Sequence, residues 1–214
     1  FACNAVSWIQ GEANSYSGMS EDDYYNKMVL LFDNLSTDIK AITGQTTDVH
    51  FFLYQTDSCH FYGGYHYPYI SLAQLKIALN KNNVHLVTPI YFLPKIGDNT
   101  HFSAMGSKWF GGYFGIAYKR VVIEGKDFKP IYLKDYFVQG NNIYITLNVP
   151  KPPLVIDTIN QIDRGVGKGF QIRSVDDTAN NSYLDIITGV EIIRPDMIKI
   201  TCSESPAGKK LTYA

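Results

Sequence analysis

The chain has 214 residues, enough for one large domain or two small ones, and its 45% apolar and 18% charged content is that of a folded protein, not a disordered one. The formal net charge is −1 with no basic block, so the phosphate-neutralising surface of a nucleic-acid binder is missing; no run approaches the ~20 apolar residues of a membrane-spanning helix. Three cysteines (Cys3, Cys59 and Cys202) are odd in number and form no C-x-x-C pair, which argues against a disulfide framework and a structural zinc site.

Residues 2–9 read as a short apolar strand. Ser20-Glu-Asp-Asp23 then offers a capping box, and apolar residues recur at Tyr24, Met28, Leu31, Phe32, Leu35, Ile39 and Ile42 before Gly44, the pattern of an amphipathic helix with a glycine stop. Residues 49–54 form a second apolar strand. Ser71-Leu-Ala-Gln74 is a further capping box, expected to open a helix that runs to about Lys81. A third strand follows at 84–88, and Ser103 caps a helix predicted to reach about Lys119. Gly106, Gly111, Gly112 and Gly115 are expected to let that helix approach a sheet closely.

Strand-helix repeated three times, with nearly continuous apolar strands, predicts parallel strands covered on both faces. No signal peptide is visible in these residues, and the first strand stands at the extreme start of the chain, so further strands are expected ahead of it. Past residue 121 short β-rich runs alternate with turn residues, as in Gly140-Asn-Asn142 and Pro150-Lys-Pro-Pro153, and period-2 alternation is clear in 143–149 and 197–202. This texture predicts a β-sandwich module over 123–214 after an α/β domain over 1–122.

Asp98-Asn-Thr-His101 falls in the loop after the third strand, where open α/β sheets face their ligand crevice. A carboxylate three residues before a histidine can hold the imidazole Nδ1–H and leave Nε2 free as a base, the arrangement a serine or cysteine nucleophile needs. The plainer reading is a turn in which Asp98 caps backbone N–H groups. Trp8-Ile-Gln-Gly-Glu12 ends the first strand on the same edge, and Gln10 with Gly11 suits an oxyanion, against a reading in which they only make a turn. Ser58 follows the second strand but lacks the glycines of a nucleophile elbow, and Cys59 is weaker still. Cys59, His60 and His66 have neither the spacing nor the carboxylate of a metal site, so no metal is expected. His50 and His85 lie inside apolar strands and read as hydrogen-bonded core histidines. Sixteen tyrosines, several between residues 54 and 69, set a sugar-facing wall including Tyr62, Tyr65 and Tyr67 against plain packing.

Trp8-Ile-Gln-Gly-Glu-Ala-Asn14, followed by Asp98-Asn-Thr-His-Phe-Ser-Ala-Met-Gly106, resembles the later blocks of the SGNH hydrolases, above all the sialate O-acetylesterase-like carbohydrate esterases. Tyr54-Gln55-Thr56, Ala73-Gln74 and the tail from Val149 through Pro206-Ala-Gly208 extend the likeness over most of the chain. The resemblance implies a three-layer, parallel-sheet, flavodoxin-like α/β domain lacking its first strands, followed by a β-sandwich module. By position it implies His101 as general base, Asp98 as its orienting partner, Gln10 as an oxyanion donor and Gly11 as the turn residue.

The family's Gly-Asp-Ser-like nucleophile block is absent from these residues. The expectation is therefore that an upstream segment supplies the serine and that this chain alone is inactive. The implied reaction is deacetylation of an O-acetylated carbohydrate, without a cofactor, by an extracellular, cell-surface or virion-borne protein such as a phage tail spike; an oligomer is compatible with the sequence. The alternative from another class is a non-catalytic carbohydrate-binding or structural module on the same fold.

Overall fold

The structure, a computed structural model, describes residues 1–57, 68–98, 100–157, 164–174 and 183–213. The chain divides into two compact units, Phe1–Lys129 and Pro130–Ala214. The sequence places the boundary at 122/123. The structural division falls later because Val122 and Phe128 still pack against the first unit's buried Phe52, Val87, Ala117 and Val121.

In the first unit β1 (Ala5–Trp8), β2 (His50–Gln55) and β3 (Val84–Pro89) form a parallel sheet in the order β1-β2-β3. Between them run α1 (Glu12–Tyr16), α2 (Glu21–Thr43) and α3 (Tyr69–Asn80), and after β3 comes α4 (Ala104–Tyr118), whose end loosens into a π-helical turn at Lys119–Ile123. Successive residues of β2 point to opposite faces, and both faces are covered. Phe51 and Leu53 pack with Phe32 of α2 and Ile70, Ala73 and Ile77 of α3. Phe52 meets Ala117 and Val121 at the far end of α4, while Tyr54 joins its Phe110. This two-sided cover explains why the strands are nearly continuous apolar runs instead of strict alternations. Among the described residues no helix is long and apolar enough to cross a membrane.

Local signals explain most boundaries. The Ser20 hydroxyl accepts from Asp23 N at 3.2 Å to start α2, and Gly44, at φ 70°, ends it in the left-handed region. Ser103 caps α4 by accepting from Gly106 N at 3.1 Å. Two expectations need correction. α3 begins at Tyr69, not at Ser71, with Pro68 in the capping position; the Ser71 hydroxyl instead donates to the Pro68 carbonyl at 3.0 Å. The glycines of α4 do not all serve close packing: a Cβ on Gly111, Gly112 or Gly115 would meet nothing within 4 Å, and only Gly106 is crowded, by the Pro94 carbonyl and not by the sheet.

His50 and His85, side by side on β2 and β3, are paired through His50 Nδ1 and His85 Nε2 at 3.1 Å. His85 also stacks on Phe52.

Among its described residues the second unit holds strands joined by turns and loops, with no helix. β4 (Tyr132–Gln139), β5 (Asn142–Asn148), β9 (Met197–Cys202) and β8 (Ile187–Arg194) form one antiparallel sheet in the order β4-β5-β9-β8. β10 (Lys210–Tyr213), β6 (Phe170–Arg173) and β7 (Tyr183–Leu184) form another, in the order β10-β6-β7. Ile143, Ile145, Ile198 and Ile200 of the first share one core with Ile172, Leu184 and Leu211 of the second.

Candidate active site

Because β1, β2 and β3 are parallel, the segments that follow them emerge at one edge of the sheet, where open α/β folds place their ligand sites. Those segments carry Gln10 to Asn14, Thr56 and Asp57, and the stretch from Ile90 to Ser103.

The last stretch is a tight excursion closed by an isolated bridge between Lys95 and Phe102. Ile96 N donates to the His101 carbonyl at 2.9 Å, and Ser103 N donates to the Pro94 carbonyl at 3.0 Å. A Cβ on Gly106 would lie 2.0 Å from that same Pro94 oxygen, so the glycine is what lets α4 start against the base of the excursion. At its tip both proposed roles of Asp98 coexist. Oδ1 caps the turn, accepting from Thr100 N at 2.9 Å and His101 N at 3.0 Å, while Oδ2 lies 2.7 Å from His101 Nδ1. The hydrogen bonds from the His101 backbone, the His101 ring and the Thr100 backbone pull the Asp98 carboxyl down to about 2. A carboxylate on Nδ1 fixes the proton there and leaves Nε2 as the acceptor. The His101 side chain is 75% exposed.

The loop after β1 is held by buried polar groups. Gly11 has φ 155°, and a Cβ there would lie 2.9 Å from Gln74 Nε2 and 3.2 Å from Ile70 Cγ2, so both conformation and space select glycine. Gln74, 1% exposed, accepts from Thr56 N at 2.8 Å and donates to the Gln10 carbonyl at 2.9 Å. The Tyr24 hydroxyl reaches Gln10 O at 3.1 Å and Gln10 Oε1 at 3.0 Å. Glu12 accepts from the hydroxyls of Tyr54 and Thr56. Burial pushes the Tyr54 phenol far above its usual range, reinforced by the Glu12 charge.

Gln10 and the excursion bearing His101 flank β2. They are joined through it by a run of contacts, from Gln10 to Gln74 to Thr56, then from Asp57 to Lys95 by an ion pair whose side chains are only 14% and 10% exposed. The structure thus pairs Asp98 with His101 directly and ties Gln10 and Gly11 to the same edge. Tyr62, Tyr65 and Tyr67 lie outside the described residues, as do Ser58, Cys59, His60 and His66. Among the described residues no three His, Cys, Asp or Glu side chains gather as a metal site would.

Sequence reasoning missed Gln74, Tyr24, Asp57 and Lys95. Gln74 did carry a signal: it is a polar residue between Ala73 and Ile77 on the buried side of α3.

Neither a scan against protein-family models nor a search of curated proteins matches this chain. Among solved structures, the fold is similar to that of XAC1771, a carbohydrate acetylesterase from Xanthomonas citri, with a TM-score of 0.65 and 15% identity over 98% of this chain. The chain spans 48% of the length of that protein. At this identity the likeness is one of fold: an α/β unit with a parallel sheet, followed by a β module.

Proposed function

We propose that this chain provides the base and one oxyanion donor of a carbohydrate O-acetylesterase working by a Ser-His-Asp mechanism. The observation that carries the reading is the Asp98–His101 pair, its Nε2 left as acceptor, on the sheet edge that also bears Gln10. The fold likeness to a protein described as a carbohydrate acetylesterase supports it. The nucleophilic serine is assigned to a segment outside these residues, and the substrate to an acetylated polysaccharide at a cell or virion surface.

In this reaction the serine hydroxyl attacks the acetyl carbonyl while His101 Nε2 takes its proton. Asp98, ionised throughout, steadies the imidazolium without itself becoming protonated. The carbonyl oxygen, now an anion, is met by a Gln10 N–H. Collapse returns the proton from His101 to the departing sugar oxygen and leaves an acetyl-serine. Water, deprotonated by the same nitrogen, then releases acetate and restores the serine.

The test is acetate release from an O-acetylated polysaccharide by the polypeptide that joins this chain to its serine segment. Release should fall to background in His101→Ala while the fold persists, and the chain by itself should release none. Full activity in His101→Ala would overturn the assignment and favour a non-catalytic module that binds the same polysaccharide.

A further inference from the structure

A side-chain amide is nearly symmetrical in shape, so which end is oxygen and which is nitrogen is decided by its partners. Gln10 can stabilise an oxyanion only if its nitrogen is the end turned to substrate. The surrounding hydrogen bonds decide this from two fixed points.

The first fixed point is the Thr56 backbone N–H, which can only donate. It meets Gln74 Oε1 at 2.8 Å, so the Gln74 nitrogen faces the other way, and there it finds the Gln10 carbonyl at 2.9 Å, which can only accept. The same nitrogen lies 3.4 Å from the Tyr24 hydroxyl. With its oxygen facing that donor, Tyr24 directs its own proton to Gln10, where Oε1 lies at 3.0 Å and the main-chain oxygen, already accepting from Gln74, at 3.1 Å. Tyr24 is 2% exposed, and burial pushes its phenol up to about 12, so the proton is retained at any ordinary pH.

The second fixed point is the Met19 sulfur, which has no proton to give. Asn14 Nδ2 donates to it at 3.3 Å, which turns Asn14 Oδ1 toward Gln10, where it accepts from Gln10 Nε2. The Met19 end therefore sets the polarity of the amide between them, and the Tyr24 hydroxyl, able to donate to Oε1, matches it. Its oxygen is held by Tyr24, one of its two N–H groups is held by Asn14, and the other has no protein partner among the described residues.

We infer that Tyr24, Gln74 and Asn14 are positioning residues that set the Gln10 amide with its free N–H outward, as the donor for the developing oxyanion. The inference rests on the esterase reading above.

The experiment compares single and double variants of the active polypeptide and reads kcat and KM separately. Gln10→Ala should lower kcat roughly 10²-fold, the usual loss for one oxyanion donor. Tyr24→Phe, which removes only the hydroxyl that holds the amide oxygen, should lower kcat about 10-fold with KM nearly unchanged, a part of that same loss. In the Gln10→Ala background Tyr24→Phe should add nothing, since the group it positions is gone. Asn14→Leu, which removes the acceptor that holds Gln10 Nε2 in the inferred polarity, should likewise lower kcat about 10-fold with KM nearly unchanged and should add nothing in the Gln10→Ala background.

Multiplying losses in either double variant, or an unchanged kcat in Asn14→Leu with the fold intact, would overturn the inference while leaving the esterase reading in place. A wild-type polypeptide that releases no acetate, or a silent Gln10→Ala, would instead sink the site assignment on which it rests. Should Tyr24→Phe fail to fold, Asn14→Leu, alone and in the Gln10→Ala background, decides the inference.

Discussion

The two oxygens of Asp98 have separate duties: Oδ2 lies 2.7 Å from Nδ1 of His101, while Oδ1 accepts from the backbone N–H of that same residue at 3.0 Å. One carboxylate thus sets both the main chain and the ring of its partner. Asp98→Asn keeps a cap for the turn but offers no second anionic oxygen to the ring. It should therefore leave stability nearly intact while lowering kcat, with ~10⁴ as the guide from triads in which the aspartate is replaced by asparagine. A small loss of kcat alongside normal folding would show that the ring is oriented by something else.

The same pair bears on pH. The Asp98 carboxyl is held down to about 2, below its unfolded value, so what it contributes is fully present above the unfolded value and is lost only as pH falls through about 2. A pH–rate profile should therefore show no acid limb from Asp98 above about pH 3. A limb between about pH 3 and 5 that is lost altogether in Asp98→Asn would contradict this.

The histidine pair inside the sheet predicts acid sensitivity of the fold. His85 is brought down to about 4, first by burial, then by the nearby charge of His50 and of Lys129; His50 is lowered as well, chiefly by burial. The folded state therefore binds fewer protons than the unfolded chain between about pH 4 and 6.5, and stability must fall as pH drops through that window. The lowered His85 value corresponds to roughly 3 kcal/mol across it. Urea unfolding at several pH values should show this slope, and His85→Gln should flatten it. An unchanged slope in that variant would assign the effect elsewhere.

The glycines of α4 predict opposite signs on one helix. Gly106→Ala puts a methyl 2.0 Å from the Pro94 carbonyl and should destabilise by at least the ~1–3 kcal/mol of an overpacked core. Gly111→Ala, Gly112→Ala and Gly115→Ala meet nothing within 4 Å and should each stabilise by up to about 1 kcal/mol through helix propensity. Thermal unfolding of the four variants would show whether the division holds.

Asp57 and Lys95, nearly covered by the structure around them, join the segments after β2 and β3. Asp57→Ala takes this carboxylate from a nearly covered ammonium and should cost up to about 3 kcal/mol, whereas the paired Asp57→Leu, Lys95→Met should recover most of that. If the double variant is as unstable as the single one, the charge pair is not what holds these segments together.

What the sequence makes legible here is what repeats or stays local. The three apolar strands follow from β-branched and aromatic runs, α2 from its periodicity and serine cap, and α4 from its serine cap. The Asp98–His101 pair is legible because its partners are three residues apart, within one turn. Gln74 was not legible as a tertiary residue because S-x-x-Q fits a capping box equally well, and only the distant backbone of Gln10 and Thr56 decides between the two. Tyr24 reads as one more apolar residue on the inner face of α2, since periodicity ignores its hydroxyl. Lys95 and Asp57, far apart in the chain, give no periodic signal at all.

The contact between Gly106 and Pro94 also separates two kinds of constraint inside one short motif. Gly106 is closed to substitution by the shape of the fold, while His101 touches little and is free to change except where its ring nitrogen is used. Over evolutionary time the two positions should therefore drift apart in descendants that abandon the chemistry. Under the esterase proposal, a lineage that turned this scaffold into an adhesin would keep the glycine and the capping serine and lose the histidine, so the histidine's persistence, and not the glycine's, would mark which descendants cut an ester.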